Sequence, residues 1–539
     1  MLVDRIGWRA RARLGVGAVV LGTLVASATA ADARAASIGH RAAGRGLVVA
    51  TTDGAVRGMT TGTAEEFLGI PYAAPPVGPL RWRPPQPAAR WPGARDATRF
   101  APHCPQPATP FGAASTSEDC LYLNVFRPAA HASGAFRRPV MVWIHGGALV
   151  TGESDDYAPA TLVRDGAIVV TINYRLGALG FLAHPALSDQ PGGPSGNYGL
   201  MDQQAALRWV RDNIGAFGGD PRDVTIFGES AGGLSVLSQL ASRAARGLFA
   251  RAIVESGAYD LTQAPLATAE TAGEAFAANA GCSSQTAACL RGLPVSTILA
   301  SENTGGYQPD IDGLVLTQSL ETAFASGQFN RVPVINGSNH DEWRLFVALD
   351  ELTGAPVTAA NYQSMIATTL GVSPAVAAAI AARYPLSAFP SPAVALSAVG
   401  TDAIFACPAL TVDQLVSAYV PTHAYEFNDE NAPERFLPPV SFPYGAAHAS
   451  EIQYLFDLPT AVFGGPLSPQ QQQLADTMTR YWANFAGHGF PFSPGTPRWP
   501  RYDNATERVQ SLIPPVPQVE TDFATSHNCA FWGVAPRSR

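Results

Sequence analysis

The run Val224-Thr225-Ile226-Phe227 passes directly into Gly228-Glu229-Ser230-Ala231-Gly232 and then into a helix-compatible stretch over 234–241. A β-branched apolar strand, a five-residue turn and a helix in that order leave few folds open. The turn reads G-x-S-x-G. A Ser on such a reversal is held in strained backbone, its small neighbours permit close approach, and its Oγ projects from the sheet edge beside a helix N-terminus. A Gly-rich turn with an incidental Ser would not need the flanking strand and helix. Ser230 is therefore the candidate nucleophile.

The rest of the chain fits that frame. Val140-Met141-Val142-Trp143-Ile144 and Ala167-Ile168-Val169-Val170-Thr171-Ile172 are short apolar runs of the kind buried on both faces of a sheet. Met201, Ala205, Leu207, Trp209, Val210 and Ile214 recur at near-helical spacing until Gly218-Gly219-Asp220-Pro221 stops the segment. Further strands are expected at 252–255, 332–335 and 424–427, with short strands and turns over 46–60 and 65–72. The Pro-rich stretch 74–92 is expected to lie extended on the surface. The Ala-rich stretch 351–420 is helical in tendency, and a final long helix is expected over about 468–486. Strands alternating with helices imply an α/β fold with a mostly parallel central sheet. Length alone, at 539 residues, would suggest about three domains. No internal repeat or long linker divides the chain, so a single domain with large helical insertions is expected over 37–539.

Composition narrows the function. Hydrophobic residues make up 47% and charged residues 14%, which permits a large core and rules out a disordered chain. All 35 basic residues are Arg, against 43 acidic ones, and no basic stripe runs through the body of the chain. Nucleic acid is thereby excluded as a partner. The one basic cluster, Arg5, Arg9, Arg11 and Arg13, precedes an apolar run from Leu14 to about Ala26 and then Ala28-Thr29-Ala30. That is the outline of a secretory signal peptide over residues 1–36, with cleavage after about residue 30 or, at Ala33-Arg34-Ala35, about residue 36. The apolar run is shorter than the roughly 20 residues needed to span a bilayer, so no stable membrane anchor is expected. An exported protein, extracellular or periplasmic, is the expectation. Its six Cys are even in number and would persist as disulfides there. Sequential pairing would give two short loops and one long tie, among many pairings open in principle. With no C-x-x-C and no H-E-x-x-H, no metal site is indicated.

A nucleophilic Ser needs a base and an acid, which in this kind of fold follow it in the order acid, His. His423, His448, His488 and His527 lie far enough along. His448 sits in the small-residue loop Tyr444-Gly445-Ala446-Ala447-His448-Ala449-Ser450, which would let an imidazole reach a neighbouring site. His423 lies at a strand start and His488 and His527 near the end, where solvated surface is expected. Asp341-Glu342 follows the strand at 332–335, where the acid belongs. His145-Gly146-Gly147-Ala148, directly after the strand at 140–144, is similar to the HGGG-type loop that donates backbone N–H groups to an oxyanion.

Longer motifs carry a resemblance. Glu118-Asp119-Cys120-Leu121-Tyr122-Leu123-Asn124, Phe227 to Gly233, Phe67-Leu68-Gly69-Ile70-Pro71-Tyr72-Ala73 and Asp312-Gly313 resemble the signatures of the type-B carboxylesterases, the cholinesterase-like α/β-hydrolases that include bacterial para-nitrobenzyl-type esterases. The resemblance runs from about residue 46 to 533. It implies the α/β-hydrolase fold, Ser230 as nucleophile, Glu342 as acid, His448 as base, and Gly147, Ala148 and Ala231 as oxyanion donors. It also implies disulfides Cys104–Cys120, Cys282–Cys289 and Cys407–Cys529, a small-molecule ester as substrate and no cofactor. Certain features depart from relatives. The Cys104–Cys120 loop holds Phe111 but no Trp to face a choline cation, so choline esters are not the expected substrate. Its shortness argues against a large lid. Thr304-Gly305-Gly306-Tyr307, where some relatives carry bulky aromatics, predicts an acyl pocket that admits more than acetate, and Leu149 stands where an aromatic is common. A secreted carboxylesterase is the leading expectation. A lipase comes second, and a non-catalytic binding module third, because such modules normally lack the Ser or His kept here.

Overall fold

A computed structural model describes residues 47–62, 64–129, 137–189, 193–302 and 306–535. The expected leader over 1–36, and Thr304 and Gly305 of the expected acyl-pocket segment, lie outside the described residues.

The apolar runs pair into one twisted sheet. Its strands are β1 (Met59–Thr61), β2 (Ala64–Pro71), β3 (Tyr122–Pro128), β4 (Arg138–Ile144), β5 (Ile168–Ile172), β6 (Gly219–Glu229), β7 (Arg251–Glu255), β8 (Val334–Asn339), β9 (Thr422–Phe427), β10 (Val509–Leu512) and β11 (Gln518–Glu520). Their spatial order is β11-β10-β9-β8-β7-β6-β4-β5-β3-β2-β1. From β5 to β10 every neighbouring pair is parallel, while β1, β2, β3 and β11 pair antiparallel at the flanks. Parallel strands must be covered on both faces, and the side chains alternate accordingly. Val140, Val142, Ile144, Val224, Ile226 and Val254 bury into one apolar layer, beneath the helices α1 (Tyr198–Asn213) and α2 (Ala231–Ala241). Met141, Trp143, Phe227, Ile253 and Tyr425 bury into the other.

The late helices follow the same logic. Over 351–420 lie Tyr362–Leu370, Pro374–Arg383, Pro392–Gly400 and α3 (Cys407–Val416). Between the last two runs a π-helical turn, Thr401–Ala406. The continuous stretch Pro392–Val416 is long and apolar enough to cross a bilayer, but most of it is buried inside the protein. The last long helix, α4, spans Pro469–His488; Ser468 and Gln471 form a reciprocal capping box at its start. It lays Leu474, Met478, Tyr481, Trp482 and Phe485 on the sheet's second face.

Some surface expectations are corrected. The Pro-rich stretch 74–92 holds only a single 3-10 turn, Gly78–Leu80, yet it is not all surface. Trp82 is fully buried, its Nε1 donating to the Ala178 carbonyl at 2.8 Å, and Arg81 pairs with Glu118. Proline prevents regular hydrogen bonding there without preventing its neighbours from anchoring inward. His423 and His527 are also buried rather than solvated. His423 lies on β9, inside the sheet between β8 and β10, and its Nδ1 pairs with the Pro500 carbonyl at 3.0 Å. His527 is drawn inward beside Cys529. Of these three, only His488 is exposed, as expected.

Three disulfides join Cys104–Cys120, Cys282–Cys289 and Cys407–Cys529. The third spans 122 residues of sequence, so it removes far more freedom from the unfolded chain than the other two. Replacing both Cys407 and Cys529 by Ser should lower unfolding stability by about 2–5 kcal/mol in chemical denaturation, whereas the same change at Cys282 and Cys289 should cost less.

Candidate active site

The chain order reverses at β4, with β5 on one side and β6 on the other, and ligands of open α/β sheets bind at the carboxyl ends of strands beside such a reversal. Here the loop after β4 and the turn after β6 meet. Ser230 has φ 54° and ψ −120°, a conformation that L residues rarely adopt. It heads α2, whose first N–H, that of Ala231, has no partner within the helix. The turn needs its glycines: a Cβ on Gly232 would stand 1.9 Å from the Ile144 carbonyl oxygen.

The loop His145 to Gly152 faces Ser230. Gly147, Ala148 and Leu149 all have positive φ, at 97°, 55° and 62°. Among the described residues, the N–H groups of Gly147 and Ala148 donate to no backbone carbonyl. They remain free for a ligand oxygen. Leu149 is buried and does not line the cleft. The loop is held from behind. His145 stacks on Tyr174 with ring centroids 4.5 Å apart, and burial lowers its pKa to about 4, so it stays neutral. The Gln106 Oε1 accepts from Thr151 Oγ1 at 2.6 Å and from the Gly152 N–H at 2.8 Å, and its Nε2 donates to the Gly152 carbonyl at 3.0 Å. Gln106 belongs to the Cys104–Cys120 loop, so that loop is pinned to the Gly-rich loop rather than free to lift.

The acid pair after β8 divides its work. Asp341 accepts the Ala446 N–H at 3.0 Å and pairs with Arg344 at 2.8 Å, stitching the loop that carries His448. Glu342 is fully buried; its Oε1 accepts the Asn339 N–H at 2.8 Å and its Oε2 lies 2.5 Å from His448 Nδ1. A carboxylate only accepts, so Nδ1 carries the proton and Nε2 faces the cleft. The rings of Phe346 and Phe405, 5.3 and 4.9 Å from the imidazole, fix its plane. His448 Nε2 lies 3.1 Å from Glu229 Oε1 without the alignment of a hydrogen bond, and no hydrogen bond joins it to Ser230 among the described residues. Hydrogen bonds of this kind often tighten only when substrate arrives.

Ser230, His448, Gly146, Gly147 and Ala148 share one cleft that opens to solvent. Its walls are mostly apolar: Phe111, Tyr157, Tyr259, Leu345, Phe346, Leu349, Phe436 and Ile452. Gly306 and Tyr307, expected near the acyl pocket, are not among the lining residues. A larger open groove, lined by Arg243, Arg246 and Arg331, lies at the other end of α2, away from Ser230.

The pattern of the carboxylesterase family matches residues 45–532. The chain belongs to that family. Fumonisin B1 esterase of Sphingopyxis macrogoltabida is 36% identical to it over 523 residues, covering 93% of this chain and 92% of the relative. Para-nitrobenzyl esterase of Bacillus subtilis is 36% identical over 488 residues, covering 86% and 94%. Acylcarnitine hydrolase of Mus musculus is 37% identical over 479 residues, covering 83% of each. This carboxylesterase is thus a carboxylic ester hydrolase with the α/β-hydrolase fold.

Sequence reasoning missed the buried carboxyls around His448. Glu229, beside Ser230, is raised to about 7 by burial, with Glu342 adding to the rise and His448 opposing it. Glu255, which accepts the Trp482 Nε1–H at 2.8 Å, is pushed up to about 8, chiefly by burial. Glu451 accepts from Asn339 Nδ2 at 2.5 Å and is raised well above its ordinary value, first by burial and then by the other carboxylates. The one sequence signal for Glu229 and Glu255 was an acid ending an otherwise apolar strand. For His448, burial alone would lower the pKa, but the charges of Glu229 and Glu342 outweigh it and raise the pKa. In this carboxylesterase, Glu229→Gln should therefore move the His448 titration to lower pH, read from its imidazole signals by NMR. An unchanged midpoint would mean Glu229 is not felt.

Proposed function

We propose that this chain is an exported serine carboxylesterase, one catalytic unit from about residue 37 onward behind a cleaved leader, working through an acyl-enzyme on Ser230. The observation that carries the reading is the 2.5 Å contact of His448 Nδ1 with the buried Glu342 carboxylate, in the same cleft as a Ser held at positive φ. His448, oriented by Glu342, takes the Ser230 proton as Oγ attacks the ester carbonyl. The N–H groups of Gly147, Ala148 and Ala231 hold the oxyanion, and His448 then returns the proton to the leaving alcohol. Water, deprotonated by the same imidazole, hydrolyses the acyl-enzyme. The reaction as written uses only side chains and backbone of this chain. Export is supported by the three disulfides, which persist in oxidising compartments.

The cleft also bears on substrate. Phe111, from the pinned Cys104–Cys120 loop, packs against Phe436 across the wall with ring centroids 5.7 Å apart. A loop tied down through Gln106 is poorly suited to lift at a lipid surface, which favours soluble esters over interfacial lipase action. The apolar lining fits acyl groups longer than acetyl or aryl esters, and charged choline finds no Trp there.

An organophosphonate probe followed by intact mass should add one phosphonyl group per chain and none to Ser230→Ala. An adduct that survives in that variant would sink the assignment. Glu342→Gln should keep the fold and lower kcat by about 10⁴, since His448 would lose its orienting anion. Across nitrophenyl esters, kcat/KM should peak at short to medium acyl chains and should not jump when a substrate passes its solubility limit. Such a jump would favour the lipase reading.

A further inference from the structure

A second group of titratable side chains converges behind the proposed triad, and neither the cleft nor the mechanism uses it. His340 follows the end of β8, Glu426 lies on the neighbouring β9, Glu520 ends β11, and His527 comes from the C-terminal segment. His527 Nε2 lies 2.6 Å and His340 Nδ1 lies 2.9 Å from the same atom, Glu426 Oε1. The three donor atoms all lie within 4.8 Å of one another. On its far side His527 Nδ1 meets Asp402 Oδ1 at 2.7 Å. Glu426 and His527 are buried, while the His340 side chain is 32% exposed and leaves a way in from solvent. Glu520 Oε1 is buried and has no hydrogen-bond partner. Its carboxyl is pushed up to about 9, first by burial and then by Glu426 against it.

Another His cluster in the protein serves as contrast. His103 has Glu153 Oε2 at 2.8 Å from Nδ1 and Asp155 Oδ2 at 3.0 Å from Nε2. Its two nitrogens point opposite ways, each to a separate acid. Its ligand atoms also lie within 4.8 Å of one another, but the group brings only one imidazole, where the first brings two. At Glu426, two imidazole nitrogens from different segments converge on one carboxylate oxygen.

We propose that His340, Glu426 and His527 bind a first-row transition-metal ion, with Zn²⁺ the best fit and Asp402 orienting His527 from outside. Imidazole nitrogens with carboxylate oxygens suit Zn²⁺ and its neighbours rather than Ca²⁺ or Mg²⁺. A metal-bound His usually donates its other ring N–H to a carboxylate, which is the relation of His527 to Asp402. Ligand atoms now at hydrogen-bond spacing would separate to about 3.3 Å around bonds of about 2.0–2.1 Å. Each imidazole gives up the proton it directs at Glu426, and these protons leave to the buffer. The ion would then clamp the end of β8, β9 and the C-terminal segment together. His340 is two residues from Glu342, so the clamp sits directly behind the proposed acid.

The test uses the untagged full chain stripped of metal with a chelator. Titration with Co²⁺ should produce visible absorption of a four- or five-coordinate ion, saturating at one equivalent, and Zn²⁺ should abolish it. Zn²⁺ should also raise the thermal midpoint. His340→Ala, at a partly exposed position, should weaken Zn²⁺ binding by at least about tenfold and remove the midpoint shift. Glu426→Gln gives an independent variant with a loss in the same direction, and midpoints measured without metal separate loss of binding from loss of fold. A Co²⁺ spectrum like that of the free aqua ion would overturn the proposal. So would equal Zn²⁺ affinity in the parent and both variants.

Discussion

The closest backbone approach in the cleft, between the end of β4 and the turn after β6, constrains everything built on it. A Cβ on Gly228 would stand 2.5 Å from the Ile144 carbonyl oxygen, and one on Gly232 closer still. Because the two strands are parallel neighbours at the sheet's reversal, this contact brings the free N–H groups after β4 beside Ser230. Any larger residue would push the turn away and break the alignment of Ser230 with those N–H groups. The strain at Ser230 and at Ala148 is sustained by that packing, since a rigid sheet and a buried helix hold both ends of each loop.

Electrostatics near His448 run against simple intuition about burial. An imidazole with no water around it should hold its proton less readily, yet two carboxylates reverse the direction. Glu229, Glu255 and Glu451 in turn are held toward their protonated forms by burial and mutual repulsion. The region thus behaves as a shared reservoir in which a charge on one group changes the cost of charging the next. In the proposed mechanism, a proton passing from Ser230 to His448 would be felt by all of them.

Legibility from the sequence followed locality. Ser230 and the loop 145–148 were readable because strand, turn chemistry and helix are contiguous, and the strands themselves announced the sheet. Glu342 and His448 lie 106 residues apart, and their pairing came from resemblance rather than from any local pattern. The set His340, Glu426 and His527 was invisible: parallel pairing of β8 with β9 joins the first two, and the Cys407–Cys529 bond returns the third. His423 and His527 were misjudged for the same reason, because nearness to a strand start or to the chain end says nothing about what later packs over it. Gln106 carries no signal in the sequence, although its amide ties two loops together.

The long disulfide also shapes how the protein meets proteases. Residues 407 to 529 form a covalent ring that contains His448, all of α4 and the last three strands. A single cut anywhere in that ring leaves the two pieces bonded to each other. A nicked molecule in a protease-rich medium would therefore keep its His448 loop attached to the body, and damage that would split an unlinked enzyme would leave this one in a single piece until a reductant arrived.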